Sequence, residues 1–478
     1  MVSSEMVPLA KTGGLADVTG ALANELVWGG ENEVIVFLPY YAQIKEKPEK
    51  EITKGEVIVG TEKEAYSIFS LNRPAGARVF LVGHATYFNR EGFYGTPAGD
   101  YADNDQRFIF FQKAVLASLK KIKFKPDIIH SHDWQSALIP VYLRTFYRGD
   151  PFFSRTKVVF TVHNLAYQGL FSRERFPLTS LDWTLFNLHA LEFYGQANFL
   201  KGGLVFSDAI TTVSVRYSQE IQTKEFGCGL EGVLKERAEV LYGIMNGLDY
   251  QLWNPEKDNL LKFNYTRPNL EEKWKNKELL QKENGLVSDR RTPLIGMVTR
   301  LADQKGLDIT SQIMEEIFSQ EAQMIILGTG DERYHRLLTD MAGRFKGKLS
   351  LHLKFDNTLA HRIYAGSDIF LMPSQYEPCG LGQLISLRYG TIPLVREVGG
   401  LADSVLDFTL DKEKGNGFTF REYRASVLLE KIKEALDLFK TKPGTWKKLM
   451  ERGMAQDFSW KNSTAKYLEL YRQLLKAK

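Results

Sequence analysis

The chain has 478 residues, 44% hydrophobic and 25% charged, the profile of a globular protein long enough to bury its cores without disulfides or metals as staples. Lys and Arg number 62 against 58 Asp and Glu, and a net charge of +4 gives no sign of a nucleic-acid binder. Two cysteines cannot build a disulfide framework, no stretch reaches the ~18 apolar residues of a membrane span, and the N-terminus lacks the build of a signal peptide, so a cytoplasmic enzyme is expected.

In chain order, Met1 and Val2 precede Ser3-Ser4-Glu5, which predicts an unusually short first strand or residues upstream that would complete it. Lys11-Thr12-Gly13-Gly14-Leu15-Ala16-Asp17 follows and opens a helix over 16–27. Apolar runs at 34–38, 127–130 and 157–162, and again at 294–298, 323–327 and 369–373, predict strands buried on both faces. Each is followed by a glycine-containing turn and an amphipathic stretch, so parallel sheets covered by helices are expected, α/β throughout. Residues 242–255, YGIMNGLDYQLWNP, carry two glycines and a proline after a helical pattern and predict a domain junction near Gly243. Residues 458–478 read as a terminal amphipathic helix that needs a docking surface. The pentapeptide Gly-Gly-Leu-Ala-Asp occurs at 13–17 and again at 399–403, each time at a helix start, which offers two Gly-rich helix N-termini to anions.

Several loops carry candidate chemistry. Paired glycines at Gly13 and Gly14 let a backbone approach a ligand, and Lys11 adds a charge, so a phosphate or sugar fits as well as an ordinary tight turn. The loop is not a Walker P-loop, and Gly328-Thr329-Gly330 lacks the third glycine of a dinucleotide fingerprint. In His130-Ser131-His132-Asp133 the two histidines share one strand face with no second ligand cluster, which favours satisfied strand-end histidines over a metal site. Asp133 and His163 each lie just past a strand, where open α/β sheets place ligand contacts. Arg300 and Lys305 bracket a loop that could hold a diphosphate; at ~4 Å and an effective dielectric of ~20, each cation–anion contact has a Coulomb term of roughly 4 kcal/mol. Residues 373–381, PSQYEPCGL, hold Glu377 in a loop bounded by proline and glycine, and Cys379 reads as a small buried thiol. Tyr94 and Tyr101 flank the Gly-rich loop 92–101, where their rings could serve as an acceptor platform or pack the loop.

Taken together these motifs resemble the bacterial glycogen synthase and plant starch synthase family, retaining glucosyltransferases that extend α-1,4-glucan. The resemblance runs end to end: KTGGLADV at 11–18, DNDQRF at 103–108, HDWQ at 132–135, TVHNLAYQG at 161–169, FLKGG at 199–203, EFGCGLEGVL at 225–234 and NGLD at 246–249. It continues through residues 300–305, LGTGD at 327–331, AHRIYAGSD at 360–368, EPCGL at 377–381 and GGLAD at 399–403.

The resemblance implies the GT-B architecture, two Rossmann-like doubly wound parallel-sheet domains facing across a deep cleft. Residues 1–243 would form the acceptor-side domain and 244–457 the sugar-nucleotide domain, with 458–478 packing back toward the first. It implies transfer of glucose from ADP-glucose with retention of configuration and no metal or cofactor. Arg300 and Lys305 would neutralise the diphosphate, His163 would lie beside the transferred glucose, Glu377 would orient its hydroxyls, and Asp133 would line the cleft. Lys11, Gly14, Asn246, Gly380, Leu381 and Gly382 would contact the sugar nucleotide. Phe355 would pack near the adenine, in a Lys354-Phe355 pair that replaces the Gly-Tyr common in the family. Gly382 stands where a hydroxyl residue often follows EPCGL. A UDP-glucose donor, another acceptor, or a silent glucan-binding protein are the alternative readings.

Overall fold

The computed structural model describes residues 1–28, 30–71, 76–96 and 98–476, so Pro97 of the tyrosine loop and residues 477–478 lie outside the described residues. The chain forms two compact units, Met1–Gly247 with Trp460–Lys478, and Leu248–Ser459.

The first unit is built on β1 (Ile35–Pro39), β2 (Lys50–Val59), β3 (Glu62–Ser70), β4 (Arg78–Gly83), β5 (Ile128–His132), β6 (Lys157–Val162), β7 (Ala209–Thr212) and β8 (Leu241–Gly243). They make two four-stranded sheets, β2-β3-β4-β1 and β5-β6-β7-β8. Val2 joins them, bridging in parallel to Phe37 on one side and to Ser131 on the other. Its N–H donates to the His130 carbonyl at 2.8 Å and its carbonyl accepts the His132 N–H at 3.1 Å. The short first strand is therefore a central one. Chain order reverses on either side of it, a switch point whose carboxyl-end crevice receives the loops after Val2 and β5.

One part of this sheet is not parallel, contrary to the expected all-parallel sheet: β3 runs antiparallel to both β2 and β4. Only Gly60 and Thr61 separate β2 from β3, a connection short enough for a hairpin and too short for a crossover. β2 alternates exposed and half-buried residues, as a strand solvated on one face does. The central strands are mostly buried, β1 at all five positions and β5 at four of five.

The second unit contains β9 (Leu294–Val298), β10 (Gln323–Leu327), β11 (Leu349–His352), β12 (Ile369–Met372), β13 (Ile392–Arg396) and β14 (Phe418–Phe420). All pair in parallel, in the order β11-β10-β9-β12-β13-β14. This is the doubly wound order, with its reversal between β9 and β12.

The first unit reaches four residues beyond the expected boundary at 243. The Ile244 N–H continues the sheet by donating to the Thr212 carbonyl at 2.8 Å, and Ser463 Oγ donates to the Met245 carbonyl at 2.6 Å. The second unit begins where the Leu248 N–H donates to the Phe458 carbonyl at 2.7 Å. Helix Trp460–Lys476 belongs to the first unit. Its Trp460, Tyr467 and Leu470 share one apolar cluster with Val18, Leu22 and Leu26 of helix Gly14–Val27. Among the described residues, no helix is long and apolar enough to cross a membrane.

Candidate active site

In the second unit the loops leaving the carboxyl ends of β9 and β12 carry Arg300, Lys305 and Glu377 to the switch point. Gln304 ties them together: its carbonyl accepts the Gln375 N–H at 2.8 Å and its Nε2 donates to the Tyr376 carbonyl at 3.0 Å. Gly306 makes the approach possible, with φ at +70° and room for no Cβ, which would lie 2.2 Å from the Pro373 carbonyl oxygen. Glu377 is buried to 7% exposure, and its Oε2 accepts from Lys305 Nζ at 2.6 Å and from Ser374 Oγ at 2.9 Å. Arg300 is exposed at the mouth of the same loop, 3.4 Å from Gln304 Oε1. Phe355 follows β11 and is 84% exposed, so its ring is open to a stacking partner. Lys354 beside it pairs with Asp356 at 2.9 Å.

Leu381 and Gly382 open the short helix Gly382–Arg388, preceded by Gly380. A Cβ at Gly382 would lie 2.8 Å from the Phe370 ring and 3.1 Å from Met372 Sδ. Packing against β12 thus accounts for glycine where the family often carries a hydroxyl residue. Cys379 is a buried thiol outside any disulfide.

In the first unit the loop after Val2 folds back on Glu5, which is 3% exposed. The Glu5 carboxylate accepts the Thr12 N–H and hydroxyl, both at 2.6 Å, the Gly13 N–H at 3.2 Å and the Tyr94 hydroxyl at 2.7 Å. This moulds the Gly-rich loop without filling its outer side: a Cβ at Gly13 or Gly14 would meet no atom of the described residues within 4 Å. Among the described residues no side chain caps helix Gly14–Val27, and the Ala16 N–H donates to the Gly13 carbonyl at 3.3 Å. Lys11 is exposed and pairs with Asp17 at 2.7 Å.

Asp133 and His163 follow β5 and β6. Asp133 adopts φ 54°, ψ −178°, a strained conformation for a residue with a Cβ. Its Oδ1 accepts the His163 N–H at 2.7 Å. Burial nevertheless pushes the Asp133 carboxyl up to about 7, and Glu5 adds to the shift. Burial also holds the His163 imidazole down to about 3, so it is neutral at ordinary pH. His163 Nε2 lies 3.0 Å from Nδ1 of the fully buried His132.

The structure corrects two expectations. Tyr94 is committed to Glu5, and the Tyr101 ring lies under the guanidinium groups of Arg90 and Arg107, 4.8 and 5.0 Å from its centroid, while its hydroxyl accepts the Gly92 N–H. Both tyrosines pack their loop rather than form an acceptor platform. The second Gly-Gly-Leu-Ala-Asp copy is not open to an anion either: the Gly400 N–H donates to the carbonyls of Glu377 and Pro378, and those of Leu401 and Ala402 to Val398. Asn246 is buried one residue before the end of the first unit, and its Oδ1 has no partner among the described residues.

Glu5, His132, Gln304 and Ser374 were not predicted. Glu5 is the acid nearest the Gly-rich loop on its N-terminal side, and Ser374 lies three residues from Glu377, but only folding shows what their oxygens accept or donate. Among the described residues no group of three His, Cys, Asp or Glu side chains is arranged to hold a metal.

Two α/β units, each with charged and hydroxyl-binding side chains at its switch point, define a glycosyltransferase of the GT-B class. A family model described as the starch synthase catalytic domain matches residues 1–236, and one described as glycosyl transferases group 1 matches residues 278–443. The chain is 48% identical to a glycogen synthase of Geotalea uraniireducens over all of its own length and 99% of that protein's. It is 46% identical to a glycogen synthase of Thermosipho africanus, covering 99% of this chain and 98% of the other. Among solved structures, the catalytic domain of starch synthase IV from Arabidopsis thaliana, bound to ADP and acarbose, superposes with a TM-score of 0.91 at 33% identity, over 99% of this chain and 98% of that one. A sucrose-phosphate synthase from Thermosynechococcus elongatus, at 16% identity and a TM-score of 0.62, shares the fold. The chain belongs to the glycogen synthase and starch synthase family and is a hexosyltransferase.

Proposed function

We propose that the chain transfers glucose from ADP-glucose to the non-reducing end of an α-1,4-glucan, with retention of the α configuration and without a metal or other cofactor. The observation that carries this reading is the Lys305–Glu377 pair beside Arg300. It sets two cations and a carboxylate in adjoining loops, the chemistry that a departing diphosphate and a hydroxyl-rich sugar require.

Glu377 Oε2 is engaged by Lys305 and Ser374, which turns Oε1 into the oxygen that accepts glucose hydroxyl protons. Arg300 and Lys305 hold the diphosphate, and their charge offsets the negative charge that builds as the glycosidic C–O bond breaks. Phe355 stacks on the base. The open amide cradle at Gly13 and Gly14 and the Lys11 ammonium take further donor oxygens. His163 and Asp133 are the first unit's candidate sugar contacts. The acceptor hydroxyl attacks from the face the diphosphate leaves, and its proton passes to the departing phosphate oxygen. Retention follows without a covalent enzyme intermediate, through an ion pair held by the two cations.

Incorporation of labelled glucose into glycogen, from ADP-glucose and from UDP-glucose side by side with chelator present, tests the reading. Incorporation from ADP-glucose is expected. Preference for UDP-glucose would change the donor, dependence on added metal would remove the cationic account, and activity with neither would leave a glucan-binding role.

A further inference from the structure

We infer that His132, which is fully buried against His163, is a positioning residue that fixes the tautomer of His163 so that its Nδ1 carries the proton. The inference rests on the proposed glucosyl transfer for its catalytic consequence, but not for the tautomer itself.

His132 Nδ1 and His163 Nε2 are 3.0 Å apart, a hydrogen bond with room for one proton between two neutral imidazoles. Either His132 donates or His163 does. If His163 donated, the proton of His132 would sit on its Nε2, and that atom is buried with no partner among the described residues. The neighbouring ring cannot relieve it. The His130 ring lies against His132, tilted by 30° with centroids 4.2 Å apart, but its Nδ1 is bonded to the Tyr471 hydroxyl at 2.7 Å and its Nε2 to the Thr161 hydroxyl at 2.5 Å. An orphaned N–H in the core is a rare and destabilising feature. With the proton on Nδ1 instead, His132 makes its one bond and leaves only a bare lone pair at Nε2. The geometry therefore assigns His132 as donor and His163 Nε2 as acceptor. Burial keeps both rings neutral, so neither carries a second proton.

The consequence falls on His163. A neutral imidazole that accepts at Nε2 bears its proton at Nδ1, and that nitrogen carries no bond to a described residue. The Asp133 carboxylate pins the His163 backbone N–H at 2.7 Å, which fixes the ring's attachment as well. His163 thus offers the site an N–H donor. It suits an oxygen of the sugar or of the departing phosphate, and it cannot take the proton of the acceptor hydroxyl. The His130–Tyr471 bond adds a tie from the terminal helix to the ring that packs on His132.

Nitrogen-15 NMR of the full-length protein labelled at histidine reads the tautomer directly, with His163→Gln to assign the signals. The expected result is a protonated Nδ1 and an unprotonated Nε2 at His163 between pH 6 and 8. A protonated Nε2 at His163 would overturn the inference, and this readout needs no turnover, so it stands apart from failure of the glucosyltransferase reading. Kinetics with ADP-glucose and glycogen give the second arm. His132→Leu removes the donor and is expected to lower kcat roughly 10- to 100-fold with KM for ADP-glucose within about twofold. His132→Asn, whose amide can donate from the position of Nδ1, is expected to recover most of that loss. Full activity in His132→Leu, or no recovery in His132→Asn, would overturn the positioning role.

Discussion

Asp133 combines backbone strain with a carboxyl that burial makes hard to ionise, while its Oδ1 accepts the His163 N–H. A carboxyl lifted from its ordinary value of 3.8 to about 7 stabilises the fold most when protonated. Its contribution is full below about pH 4 and is lost as pH rises toward 7, because the unfolded chain ionises freely there and the folded one does not. Asn in its place keeps an oxygen for the His163 N–H and never ionises. Asp133→Asn should therefore flatten the pH dependence of Tm between pH 4 and 7 and raise Tm relative to the native chain above pH 7. Parallel Tm curves for the two proteins across that window would contradict the assignment. Asp133, His163, Arg300, Lys305 and Glu377 could be picked from the sequence because each follows an apolar strand in a loop. Glu5 could not, since its role depends on the chain folding back over seven residues to Thr12.

The two Gly-Gly-Leu-Ala-Asp segments show how one local sequence serves two purposes. At 13–14 the glycines border open space, whereas at 399–400 they press against the Glu377 loop. A Cβ at Gly399 would lie 1.9 Å from the Glu377 carbonyl oxygen, on a backbone with φ +44°. The second pair is a packing device against the Glu377 loop, and the first is the proposed ligand cradle. Gly14→Val should leave Tm nearly unchanged and raise KM for ADP-glucose roughly tenfold, the loss of about one hydrogen bond or 1.4 kcal/mol. Gly399→Ala should destabilise the fold by about 1–3 kcal/mol and lower kcat, by strain and overpacking. Equal Tm losses in the two variants would contradict this division. Helix N-termini look alike in sequence, and what fills the space in front of them is decided by tertiary packing. The same holds for Tyr94 and Tyr101, whose partners Glu5, Arg90 and Arg107 come from distant positions or from the far end of the loop.

At the scale of the molecule, the alternation of buried strands and amphipathic stretches was enough to predict two α/β domains, and the end-to-end order of motifs was enough to predict the class. The antiparallel β3 was missed because the stretch over 50–70 alternates polar and apolar residues around a two-residue turn, a pattern unlike the solid apolar runs of the other strands. The place of Val2 between β1 and β5 was also beyond reach, since pairing partners 35 and 129 residues away leave no local signal. Both units nonetheless present their functional loops at a switch point, and the second unit's cation–carboxylate pair is the centre of the account. The measurement that bears on it most directly is initial-rate transfer from ADP-glucose to a maltooligosaccharide by the native chain, Lys305→Ala and Glu377→Ala, with circular dichroism to confirm that each is folded. The account predicts that either variant loses turnover by about 100- to 1,000-fold, the scale of removing one preorganised group at developing charge. Near-native turnover in either folded variant would contradict it.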